Sequence, residues 1–230
     1  MLSFAFLCAL SSGVLGQTPE MPSRQDFALE LRLGPYRPHV DKAFPPGEGP
    51  YRQLFGKKRM LLSEAELDWQ FFHGFGSLGV GIASGYAEVY GKALIGGEPS
   101  LQTTSLKIIP IKFLFVWRMD IFANHFDIPL VPYGKVGLML NHWWSTKGGK
   151  TSEAAGEKAR GWRSGYLGVA GIAVQLDAFE RQLAKDFQAS MGINHSYVFA
   201  EYAFEQVKSF GKAGINLSAG HWMFGLAFEF

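Results

Sequence analysis

The chain has 230 residues, of which 47% are hydrophobic, 15% aromatic and only 18% charged. That charged fraction lies below the roughly 25% usual in soluble domains, yet a mean hydropathy of +0.03 is too low for a bundle of transmembrane helices. The formal net charge of +2 is no nucleic-acid signature.

Residues 2–15, LSFAFLCALSSGVL, carry no charge and are apolar or small. Val14 and Gly16 precede Gln17 as small-residue exit positions, so 1–16 reads as a signal peptide and 17–230 as one exported domain. Past this leader no uncharged apolar run reaches the roughly 18 residues of a spanning helix. The single cysteine, Cys8, lies in the leader. The mature chain is therefore expected to lack disulfides, thiolate nucleophiles and cysteine zinc sites. The six histidines show no H-x-x-x-H pair, so no metal and no cofactor are expected.

Period-two alternation then recurs along the chain, the mark of strands with one apolar face. Phe27, Leu29, Leu31 and Leu33 oppose Ala28, Glu30 and Arg32 over 26–36. Ala65, Leu67, Trp69 and Phe71 oppose Glu64, Glu66, Asp68 and Gln70 over 60–72. Leu78, Val80 and Ile82 oppose Gly79, Gly81, Ala83 and Gly85 over 78–90. The segment 105–117 is extended but irregular, with Pro110 expected to mark a bulge or register shift. Val136, Leu138 and Leu140 alternate with Lys135, Gly137 and Asn141 over 131–144, and Ile172 and Val174 with Gly171, Ala173 and Gln175 over 163–177. Val198, Tyr202 and Phe204 oppose Tyr197, Phe199, Glu201 and Glu205 over 193–206. The last strand, 214–230, puts Trp222, Phe224, Leu226, Phe228 and Phe230 on one face. Between strands 178–185 reads as a short helix, from Phe179, Leu183 and Phe187 at every fourth residue.

About eight strands with a greasy face, and several longer than a bilayer crossing, fit a closed antiparallel up-and-down transmembrane β-barrel. Its apolar face would meet lipid. Its lumen would be just wide enough for side chains to fill. Small residues and paired charges suit such a lumen, since an unpaired buried ion costs several kcal/mol. The expected inward charges are Glu30, Glu64, Glu66, Asp68 and Glu201, with Arg32, Lys107 and Lys135 as counterions. An even strand number puts both termini at the periplasmic end and the loops 37–59, 91–104, 145–162 and 207–213 at the outer end.

Gly34-Pro35-Tyr36, Phe75-Gly76-Ser77-Leu78-Gly79-Val80-Gly81, Ile128-Pro129-Leu130-Val131-Pro132-Tyr133, Trp143-Trp144, Gly192-Ile193-Asn194-His195, Glu201-Tyr202-Ala203, Phe210-Gly211-Lys212 and the closing Phe224 to Phe230 carry a resemblance across nearly the whole domain. The chain resembles small outer-membrane β-barrel domain proteins of Gram-negative bacteria, similar in architecture to the OmpA and OmpX type. The resemblance implies an integral outer-membrane location and no catalytic residue. It also implies that Trp222, Phe224, Phe228 and Phe230 form the signal read by the barrel-assembly machinery.

Other motifs favour plain readings. Gly74, Gly76 and Gly79 spell G-x-G-x-x-G, but a strand follows where a dinucleotide site needs a helix. The row Glu64, Glu66 and Asp68 could line a cation pore, or close the lumen as salt bridges. The basic outer residues Arg52, Lys57, Lys58, Arg59, Lys147 and Lys150 suit lipopolysaccharide phosphates. The expected role is structural or surface-interactive, as a monomer among outer-membrane lipids. A small channel, a rim enzyme and a periplasmic lipocalin-like barrel are the alternatives.

Overall fold

The structure is a computed structural model that describes residues 26–45, 47–95, 98–126, 128–154, 157–179, 190, 192–211 and 214–230. The expected leader, and residues 180–185 of the expected inner helix, lie outside the described residues. Leu176–Ala178, where that helix was expected to begin, form one 3-10 turn.

Eight long strands carry the fold: β1 (Phe27–Tyr36), β2 (Met60–Gly74), β3 (Gly76–Ile95), β4 (Glu98–Arg118), β5 (Leu130–Lys147), β6 (Arg160–Gln175), β7 (His195–Gln206) and β8 (Ala219–Glu229). Each pairs antiparallel with its neighbours in sequence. β1 pairs with β8, through Ala28–Leu33 against Phe224–Glu229, and this closes the sheet. The result is an all-β, up-and-down, closed antiparallel barrel. Closure joins the two edge strands, so the ladder groups of the paired stretches find partners without water.

Alternation sets the faces. Along β2 the residues from Met60 to Gln70 alternate buried and exposed without a break. Outward residues are large and apolar: Leu31, Leu67, Ile82, Phe113, Leu138, Ile172, Phe204 and Leu226 are all exposed. Small inward residues make room for charged ones on the next strand. Asp68 pairs with Gly81 and Glu64 with Gly85 across β2 and β3. A Cβ at Gly85 would lie 2.6 Å from Glu64 Cγ, and one at Gly81 would overlap the Asp68 carboxylate.

Two sequence expectations need correction. Pro110 marks no register shift: β4 stays in step with β3 from Ser84↔Ile111 to Ala87↔Ile108, and with β5 through Pro110↔Asn141. A missing N–H at one position leaves the neighbouring ladder intact, and the irregularities fall at Gln70/Phe72 and Lys92/Leu94. The segment 91–104 is mostly strand, because β3 and β4 run on as 20- and 21-residue strands and keep pairing up to Ile95↔Glu98. Backbone pairing continues past Gly91 and Pro99, through Gly91↔Thr104 and Leu94↔Pro99. In addition, the connections at both ends hold short helices: α1 (Pro50–Phe55) in the outer loop and α2 (Ile121–Phe126) at the inner end.

The outer loop folds inward for local reasons. Pro50 starts α1 at a position that needs no N–H. Gly49 cannot cap with a side chain, so Asp41 does: its carboxylate accepts from Tyr51 N at 2.8 Å and Arg52 N at 3.1 Å. The helix then buries Tyr51 and Phe55 in a cluster with Tyr36, Val89, Leu106 and Ile108. Gly91 permits this approach, for a Cβ there would overlap the Leu54 carbonyl. The outer part of the interior is thus apolar, a layer the sequence did not reveal.

Candidate functional site

Beyond that apolar layer the interior holds a run of buried ion pairs. Register explains why. Glu30 lies opposite Glu66, and Arg32 opposite Glu64. Two carboxylates facing one another destabilise a sheet unless a cation bridges them. Lys135 Nζ does so from across the barrel, at 2.5 Å from Glu30 and 2.7 Å from Glu66. Arg32 binds Glu64 at 2.9 Å, Glu66 at 2.5 Å, Glu30 at 3.1 Å and Glu201 at 3.4 Å.

The run extends both ways. Outward, Lys112 joins Glu64 at 2.6 Å to Glu205 at 2.8 Å. Inward, Arg118 reaches Glu30 at 2.5 Å, Asp68 at 2.8 Å and Glu229 at 2.9 Å. Glu229 also accepts from Gln70 and from the Tyr197 hydroxyl, and the Tyr133 hydroxyl donates to Glu201 at 2.8 Å. Five strands besides β2 contribute, so the cluster ties the barrel wall together across its interior. All eleven of these charged side chains are buried. A cavity of about 10 Å³ remains among Glu30, Arg118, Tyr133 and Tyr197, room for about one water.

Of the expected lumen charges, Glu30, Arg32, Glu64, Glu66, Asp68, Lys135 and Glu201 come together here. Lys107 does not. It points outward and pairs with Glu88 at 3.1 Å, with its side chain 27% exposed. The reason is parity. Phe113, Phe115 and Trp117 are exposed, whereas Leu106, Ile108, Lys112, Leu114, Val116 and Arg118 are buried. Inward positions on β4 are therefore even-numbered. Lys112 and Arg118, both missed by the sequence reading, take the place expected of Lys107. Lys107→Met is accordingly expected to change unfolding free energy by less than about 1 kcal/mol; urea titration in detergent micelles checks this, and a larger loss would put Lys107 in the network after all.

Three carboxylates, Glu30, Glu66 and Asp68, bring oxygens within 4.8 Å of one another. The Arg118 guanidinium and Lys135 ammonium already supply positive charge between them, so the arrangement is a salt-bridge network by chemistry. At the inner rim His195 Nδ1 lies 2.6 Å from Asp177 Oδ2. Partial burial opposes ionisation of Asp177, but hydrogen bonds from His195, Gln175 and the Ser196 N–H outweigh it and hold the carboxyl below its usual range. This grouping ties the 3-10 turn after β6 to the first residues of β7.

Arg52, Lys57, Lys58, Arg59, Lys147 and Lys150 are exposed at the end of the barrel opposite Phe27 and Glu229. Lys58 Nζ donates to the Tyr90 carbonyl at 2.9 Å. Trp222, Phe224 and Phe230 are exposed on the outward face of the closing strand, with Phe228 half-buried. Phe230 stacks on Phe27 where β8 meets β1.

A closed barrel, apolar outside and charged within, defines the class: the eight-stranded transmembrane β-barrel. Among solved structures, the chain is similar to Ail, the attachment invasion locus protein of Yersinia pestis, at 12% identity and a TM-score of 0.44, covering 90% of this chain and 97% of that one. It is also similar to the outer membrane protein OprG from Pseudomonas aeruginosa, at 13% identity and a TM-score of 0.45, covering 90% and 96%. No protein-family model and no curated protein matches the chain.

Proposed function

We propose that the protein is an integral bacterial outer-membrane barrel, exported with a cleaved leader and inserted by the barrel-assembly machinery, that serves as a closed, monomeric scaffold for surface interactions. On this reading it is not an enzyme, and its basic outer loops meet lipopolysaccharide. One observation carries the reading: the interior is occupied twice over, by the Tyr51 and Phe55 layer at the outer mouth and by the continuous ion-pair run beneath it. A solute path would need several buried pairs to part at once, each leaving an uncompensated charge.

The test is planar-bilayer recording with the purified, refolded protein. Stable silence is expected over repeated insertions, together with heat-modifiable gel migration showing a folded barrel. Reproducible unitary conductance that disappears in Glu66→Gln would overturn the closed lumen and favour the small channel.

A further inference from the structure

A second feature lies outside the lumen, at the outer rim where the first loop crosses the ends of β7 and β8. A cleft of about 470 Å³ opens there between the segment after β1 and the outward face of the closing strands. Its upper wall is cationic, formed by Arg37, Lys42 and Arg59. Asp41 is the acidic residue of that wall: its carboxylate accepts from the N–H groups that start α1 and pairs with Arg37 at 3.9 Å, which leaves Lys42 and Arg59 as the excess. Lys42 and Arg59 have no ion-pair partner among the described residues and are exposed. The local field registers this excess. Partial burial lowers the pKa of His39, and Lys42, Lys208 and Arg37 lower it further.

The lower wall is of a different kind. Tyr202 and Trp222 face one another across β7 and β8, with rings 5.4 Å apart edge to face. Trp222 is 54% exposed on the side of the barrel that carries the apolar belt. Amphipathic rings in such a position belong at headgroup level in a membrane. The cleft is also built rigidly: His39 N donates to the Ser218 carbonyl at 2.8 Å, which ties the loop to the start of β8.

We infer that this cleft is a binding site for the phosphorylated headgroup of an outer-leaflet glycolipid, with phosphate on Lys42 and Arg59 and the sugar and first acyl carbons against Tyr202 and Trp222. Cations alone would suit any phosphate. The aromatic floor, opening onto the apolar belt, and a volume far larger than one inorganic phosphate select a lipid. The inference rests on the proposed outer-membrane orientation, and assigns the lipid contact to one cleft instead of to the loops at large.

The experiment counts bound lipid by native mass spectrometry after incubating detergent-solubilised, folded protein with bis-phosphorylated lipid A, or with lipid A whose phosphates have been removed. One bound phosphorylated molecule is expected on the unmodified protein, with the dephosphorylated form at least about tenfold weaker. The double variant Lys42→Gln/Arg59→Gln is expected to lose about tenfold in affinity, and Lys147→Gln/Lys150→Gln to bind as the parent does. Gel migration checks that each variant is folded. Equal binding of the two lipid forms, or a Lys42/Arg59 variant that binds normally, would overturn the site. So would retention of added inorganic phosphate with no lipid. If only the Lys147/Lys150 variant loses lipid, the cleft is wrong but the surface-lipid reading stands. If no lipid is retained by any form, both fall.

Discussion

Arg32→Met is expected to cost about 3–5 kcal/mol of unfolding free energy, the usual penalty for removing one side of a buried ion pair. Arg32 touches four carboxylates, Glu30, Glu64, Glu66 and Glu201, each of them almost wholly buried. Methionine fills similar volume but leaves those groups with one cation fewer in a low-dielectric interior. The loss therefore comes from stranded charge and not from an empty space. Pairing the change with Glu64→Gln should recover part of it, because one stranded carboxylate is then neutral. Urea unfolding in micelles, followed by tryptophan fluorescence, measures both. An Arg32→Met barrel that unfolds at the parent midpoint would mean that water reaches these carboxylates, and the interior would then be an open pore.

Ile82→Arg is expected to cost about 2–4 kcal/mol in phospholipid vesicles, while Leu61→Arg should cost at most about 1 kcal/mol. Ile82 is 50% exposed and sits midway along the barrel wall between Leu67 and Phe113, both outward. Placed in hydrocarbon, a guanidinium there loses its hydration with no partner strand to offer one. Leu61 lies at the outer end of β2, where arginine can extend to water. If both substitutions cost the same small amount, depth is irrelevant and the outward face is not in lipid.

The strands were legible because two simple signals coincide along most of the chain. Alternation gives the faces, and glycine or proline clusters end the runs. Glu64, Glu66 and Asp68 on one face of β2, opposite Gly81, Ala83 and Gly85 on β3, could be matched as charge against space from the residues alone. The same logic was available on β4. Phe113, Phe115 and Trp117 fix the outward parity and so put Lys112 and Arg118 inside. Expecting a break at Pro110 uncoupled the two halves of that strand and sent Lys107 to the wrong side. Glu205 stood opposite the apolar face of its strand, but which cation it or Glu229 meets depends on how strands face across the barrel, and that is not local in sequence. The apolar layer under the outer loop was not legible either. Tyr51 and Phe55 sit in a stretch without periodicity, and Asp41 caps their helix from outside it.

The outward apolar residues are expected to touch acyl chains. Nitroxide labels at single cysteines in a Cys8→Ser background, placed at Ile82, Leu138 or Leu226 in reconstituted vesicles, test it most directly. Molecular oxygen, which concentrates in hydrocarbon, should reach all three labels, and a water-soluble nickel chelate should reach none. Ready collision with the chelate at these positions, in a folded protein that stays monomeric after detergent is removed, would show that this face meets water instead of lipid.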